Sequence, residues 1–199
     1  MATLRPLFEY RNDIHHPLID ALAPVIHIRS FENQAPETLN GVLPMLAREL
    51  ADGRPEATSV AERLAEILLI QVIRAHFEQE QHRAGIIAGL LDPRLARAFG
   101  LVHNHYDRQL ALDDIADAAG MSRSAFAAHF RARSGMTPVA YLAVWRMCVA
   151  FDLLTSDRLP VAEAALRVGY ESDIAFGRAF KRHFGQTPGV ARRRASIAA

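Results

Sequence analysis

The sequence holds one cysteine, Cys148, and one lysine, Lys181, among 199 residues. A lone thiol excludes a disulfide framework and fits a reducing, cytoplasmic setting. No run of 18 or more apolar residues occurs, so no membrane-spanning segment is expected. The strongest apolar stretch, ILLIQVI from Ile67 to Ile73, is bracketed by Glu66 and Arg74. The start, MATLRPLFEYRND, lacks the apolar core of a signal peptide. There is no glycine-rich phosphate loop and no nucleophile–base–orienter set, so an enzyme is not indicated. Cys148, beside Met147, reads as a buried small hydrophobe. A methyl-acceptor role would need a reactive thiol in an electropositive pocket with a metal, and the sequence offers none.

Hydrophobic residues make up 50% of the chain, enough for a real core and against disorder. The net charge of +1 conceals a division. Residues 1–91 carry 8 basic and 12 acidic side chains, a net of −4; residues 92–199 carry 15 and 10, a net of +5. A basic half points to a polyanion partner, although charge alone describes a solvated surface equally well.

Spacing of 3.6 residues dominates the chain, which predicts an all-α protein. Residues 1–33 are the exception, where PLFEY and VIHIRSF read as short strands or extended loops. A first helix places Leu39, Val42, Leu43, Leu46 and Leu50 on one face and stops at Gly53. A second, over about 57–81, is apolar nearly all round at Leu64, Ile67, Leu68, Leu69, Ile70, Val72 and Ile73. That implies burial on two sides, within a core or against another chain. A short helix, a break at Asp92-Pro93 and a helix to about Tyr106 follow. The domain boundary falls near Leu91, giving domains 1–91 and 92–199. The second continues with helices over 112–119, 122–134, 138–155, 160–168 and 172–184, and a short one from Pro188.

One device occurs twice. AGMSRSAFAAHFRARSGMTP from Ala119 overlays VGYESDIAFGRAFKRHFGQTP from Val168. Gly120 meets Gly169 at an offset of 49; Phe126, Phe130, Gly135, Thr137 and Pro138 meet their partners at 50, so one residue is inserted after the turn. In each copy a glycine suits a left-handed helix C-terminus. Ser122 or Ser172 suits the next N-cap. Two phenylalanines four apart suit an inner face. Helix, glycine turn and helix with a polar outer face make a helix-turn-helix, whose second helix fits the major groove of DNA. One such pattern is a weak signal, and two in register are a strong one. Between them, Tyr141, Leu142, Trp145, Val149 and Leu153 form the apolar stripe of a linker helix. A rigid spacer suits two recognition helices that must sit about 34 Å apart on one DNA face.

On these residues, 92–199 resemble the DNA-binding domain of AraC/XylS-type transcriptional regulators, a seven-helix unit with two helix-turn-helix motifs. GYESDIAFGRAFKRHFGQTP is close to the family signature. Residues 8–91, through HPLIDALAPVIHI and the helical hairpin after it, resemble the segment following the sensor barrel in members with a cupin-like domain. The barrel itself is expected to be largely missing, and no effector site is expected. The resemblance implies base contacts at Ser124, Ala127 and Ala128 in the first recognition helix. In the second it implies Asp173, Ile174 and Arg178. Arg178 is the best candidate for a guanine, because its planar fork matches two acceptors. Candidate phosphate contacts are Arg123, Arg131, Arg133, Thr137, Lys181, Arg182 and Thr187.

This chain departs from the family at Ala128, often arginine, so its first helix depends on methyl contacts, phosphates and DNA shape. It departs also at Ala111, where the family has a serine or threonine cap; Asp113 and Asp114 compensate through the helix dipole. The function expected is a sequence-specific regulator that inserts both helices into adjacent major-groove segments of double-stranded DNA. A homodimer through residues 36–82 is a further expectation, and RNA polymerase another partner. The rival is an interaction protein that pairs with relatives and binds DNA weakly. DNA affinity at physiological salt separates the two. No cofactor or metal is expected. His103 and His105, two apart on a helix, do not face each other, and His15-His16 is no better a metal site. His129 and His183 read as rim residues near phosphate.

Overall fold

The computed structural model describes residues 37–52, 57–80 and 85–197, and all regular structure among them is helical. The strand candidates before residue 34 and the His15-His16 pair lie outside the described residues. The helices are α1 (Glu37–Asp52), α2 (Ala57–Glu80), α3 (Ile86–Leu91), α4 (Pro93–His105), α5 (Leu112–Ala119), α6 (Arg123–Ser134), α7 (Pro138–Thr155), α8 (Val161–Arg167), α9 (Asp173–Phe184) and α10 (Pro188–Ile197). They fall into two compact units, α1–α2 and α3–α10.

In the first unit, α1 packs on α2 around Leu46, Ala61 and Leu68, with Val42, Leu43, Leu64 and Val72 against them. The stripe read from sequence is only partly inward. Leu50 is 58% exposed, and the far side of α2 leaves Ile67 and Ile70 at 44% and 55%.

The second unit begins earlier than the expected boundary at Leu91. Ile86, Ile87 and Ala88 of α3 are buried, and α3 packs on α4 and α6. The Gly85 amide donates to the Arg133 carbonyl at 2.8 Å. The break at Asp92-Pro93 is a corner between two packed helices: Asp92 caps α4 and Pro93 occupies its first turn.

Helix α7 runs through the unit. It is long and apolar enough to cross a membrane by length and composition, yet half of it is buried inside this unit. Near its start, Tyr141 meets Phe99 edge-on at 4.7 Å between ring centroids, and Phe99 meets Phe130 at 5.0 Å. Toward its end, Met147, Ala150, Phe151 and Leu154 join Ala164, Ala165, Val168, Phe176, Phe180 and Ala191 in a second core. The expected spacer is therefore also a core helix of both halves. Cys148 is buried on it, unbridged.

Candidate nucleic-acid interface

Both turns close in the same way. The Met121 amide donates to the Ala116 carbonyl and the Tyr170 amide to the Ala165 carbonyl, each at 3.0 Å. These bonds span six residues and require the residue before to be left-handed. Gly120 and Gly169 supply it, with φ of 68° and 76°. The inserted residue, Glu171, falls after this shared turn and just before Ser172. Ser122 Oγ accepts from the Ala125 amide at 3.4 Å and Ser172 Oγ from the Ala175 amide at 3.3 Å. Ala111 has no side-chain oxygen to cap α5. Instead Asp114 accepts from the Ala111 amide at 2.9 Å, a more direct compensation than the helix dipole.

The phenylalanines anchor each recognition helix from behind: Phe126, Phe130, Phe176 and Phe180 are at most 1% exposed. This turns the other faces outward. On α6, Ser124 and Ala128 are exposed and Ala127 is half-buried. On α9, Asp173, Ile174 and Arg178 are all exposed, Ile174 at 69%. So large an apolar side chain left in water at a helix N-terminus is available to a thymine methyl.

The candidate phosphate contacts are not alike in the structure. Arg131, Lys181 and Arg182 are exposed and make no ion pair among the described residues. Arg123 is exposed but lies 3.1 Å from Asp113 Oδ2, a weak surface pair that phosphate can displace. Arg133 is half-buried and committed elsewhere: its Nη2 donates to the Ala88 carbonyl at 3.4 Å and its Nε lies 3.6 Å from Asp92 Oδ2. Thr137 Oγ1 accepts from the Ala140 amide at 3.2 Å as the α7 cap. Thr187 is exposed, and its carbonyl accepts from Val190 and Ala191.

The two histidines expected near phosphate, His129 and His183, are half-buried and make contacts within the chain. His129 Nε2 lies 2.8 Å from Asp92 Oδ2, and because a carboxylate only accepts, that nitrogen carries the proton. Asp92 Oδ1 accepts from the Arg94 and Leu95 amides at 3.0 and 3.3 Å. Burial pushes this carboxyl upward, but bonds from Leu95, His129 and Arg94 outweigh it, and the net shift is below the ordinary carboxylate value. Asp92 thus ties the back of the first recognition helix to the α3–α4 corner. His183 is half-buried, edge-on to Phe184 at 4.6 Å. His103 stacks on Trp145 at 3.8 Å and shares a 2.6 Å hydrogen bond with the Tyr141 hydroxyl.

Sequence reasoning missed the tie made by Asp92 and the contacts of Arg146, whose guanidinium donates to the Tyr106 and Arg108 carbonyls. The first had a local signal, an aspartate before a proline at a helix start. The second had a weaker one, a lone arginine inside the apolar run YLAVWRMCVAF.

Two helix-turn-helix units on one shared helix, each recognition helix anchored behind and open in front, define a double helix-turn-helix fold. A helix-turn-helix domain family matches residues 115–194, and a cupin family matches residues 3–78. A putative AraC-like transcription regulator of Streptomyces lividans is 37% identical over 183 residues, 92% of this chain and 60% of the relative. The regulator AlkR of Acinetobacter baylyi is 34% identical over 179 residues, 88% and 58%. Among solved structures, the DNA-binding domain of AdpA in complex with a target DNA is 30% identical with a TM-score of 0.51, covering 54% of this chain and 96% of that one. The C-terminal domain of AraT from Geobacillus stearothermophilus is 31% identical with a TM-score of 0.50, covering 52% and 87%. The chain belongs to the AraC-type family of transcriptional regulators. It spans about 60% of the length of the curated relatives it matches.

Proposed function

We propose that the chain regulates transcription by binding duplex DNA sequence-specifically, with α6 and α9 in adjacent major-groove segments. One observation carries this reading. The two recognition helices repeat the same cap, anchors and turn, and the outer face of α9 holds Asp173, Ile174 and Arg178 exposed. Ser124, Ala127 and Ala128 offer few hydrogen bonds to bases, so α6 contributes mainly fit and backbone contacts. A duplex selected from a random pool should bind with strong salt dependence. With about six phosphate contacts, affinity should fall roughly a thousandfold between about 50 and 200 mM salt. A flat salt response, or a pool that yields no preferred sequence, would remove the reading.

The α1–α2 hairpin supplies a dimer contact in this proposal. Met45, Leu50, Val60, Ile67 and Ile70 are 43–60% exposed on it. A hairpin with that much apolar surface in water favours association with a second copy. Sedimentation at tens of micromolar should give a dimer for the chain and a monomer for a fragment beginning near Arg83. A monomer in both cases refutes the contact.

A further inference from the structure

Arg146 stands midway along α7, between the two cores. Its Nε donates to the Tyr106 carbonyl and its Nη2 to the Arg108 carbonyl, both at 2.7 Å. Those carbonyls belong to the turn between α4 and α5, in the first half of the unit. The Tyr106 side chain packs against the second core. The turn of the second helix-turn-helix presses on the same place. The Arg146 guanidinium carbon lies 5.9 Å from the centroid of the Tyr170 ring. A methyl group at Gly169 would sit 2.7 Å from the Asp107 carbonyl oxygen and 2.9 Å from Arg146 Nη2. One guanidinium therefore joins three segments: the linker helix, the turn entering the first helix-turn-helix, and the turn inside the second. Its planar fork presents two donors at a fixed separation, which the single nitrogen of an ammonium does not. Arg146 is half-buried, and burial lowers its pKa, partly offset by Tyr170 and Asp107. Gly169 has two reasons to be glycine, its left-handed backbone and the contact with Asp107.

We propose that Arg146 and Gly169 form an orientation lock, which holds the second helix-turn-helix at a set angle to the first and makes the spacing of the two DNA segments part of the specificity. Arg146 is a positioning residue: it acts on DNA only through the angle between two helices it does not belong to. The lock rests on the reading that both recognition helices engage DNA. Without it, the packing on α7 and the Tyr106 ring would be left to set the angle between the two halves.

The test uses the full chain and its selected duplex, with about 1 or 5 base pairs inserted between the two contacted segments; about 5 is half a helical turn. The parent should lose about tenfold or more in affinity on the larger insertion, the equivalent of one good base contact. Arg146→Met should keep the parent's base preferences within each segment, yet bind the spacing variants within about threefold of one another. Gly169→Ala should relax spacing in the same direction. Gly185→Ala is the control. That glycine is also left-handed, with φ of 69°, but a methyl group there meets nothing within 4 Å. It should lower the melting temperature and leave spacing preference intact. Should Arg146→Met not fold, Arg146→Lys carries the test, since its single ammonium nitrogen cannot hold both carbonyls in the fixed geometry of the fork. Parental spacing preference in the Arg146 and Gly169 variants overturns the lock. A parent that protects both segments but ignores spacing overturns the lock alone; a parent that protects only one segment refutes the two-helix reading and the lock with it.

Discussion

Phe176→Ala should unfold the second half of the DNA-binding unit, not merely weaken its grip on DNA. The ring is fully buried. It lies edge-on to Tyr170 at 5.6 Å and tilted to Phe180 at 5.7 Å, in the core that α7, α8, α9 and α10 share. Truncation of such a ring costs about 3–5 kcal/mol through lost burial and the cavity left behind. A domain of this size has only about 5–15 kcal/mol in total. In a thermal melt of the chain the transition of this unit should fall by more than about 10 °C. DNA affinity should fall with it, because the α9 surface has no support once its anchor is gone. A variant that melts like the parent but loses DNA would mean that Phe176 faces the groove, which contradicts its burial. The same truncation at Phe126, equally buried behind α6, should produce a comparable loss in the first half.

Arg178→Ala and Arg131→Ala should fail in different ways. Arg178 is exposed on the outer face of α9, five residues after Asp173, with no ion pair among the described residues. A bidentate contact to a guanine edge is worth about 1–3 kcal/mol of discrimination. Its loss should erase preference at one or two adjacent positions within one segment of the site. Arg131 is exposed near the far end of α6, next to the anchor Phe130, and we propose a phosphate as its partner. Its loss should weaken all sequences alike and reduce the log–log salt slope by about one unit. Titration of each variant on the selected duplex and its single-base changes, at several salt concentrations, gives both readouts. Arg133→Ala is the third arm. Its guanidinium is committed to Ala88 and Asp92, so the expected loss is in thermal stability, with the salt slope unchanged. An unchanged preference profile in Arg178→Ala means that α9 does not read bases through that side chain.

These predictions draw on features that were legible to different degrees before any coordinates. The recurrence of Gly120 and Gly169, the serine caps and the phenylalanine pairs locate both helix-turn-helix units to within a residue or two. Each rests on contacts between neighbours in the chain, such as a cap to an amide three residues on, or a left-handed turn closing over six. Local chemistry of that kind is written in adjacent letters, and so is the outward face of α9 once its inner face is known. The tertiary structure decided which polar groups face outward to solvent and which hold the fold. Arg131 and Arg133 are two letters apart and look alike, yet one is exposed and the other is drawn back to Ala88 and Asp92. His129 finds its partner 37 residues away, and Arg146 reaches back 40 to Tyr106. The early start of the second unit has the same origin, since Ile86–Leu91 belongs to it only by packing on α4 and α6. A guanidinium or imidazole has the same formula on the surface and at a junction, and only the approach of distant backbone determines which of the two it occupies.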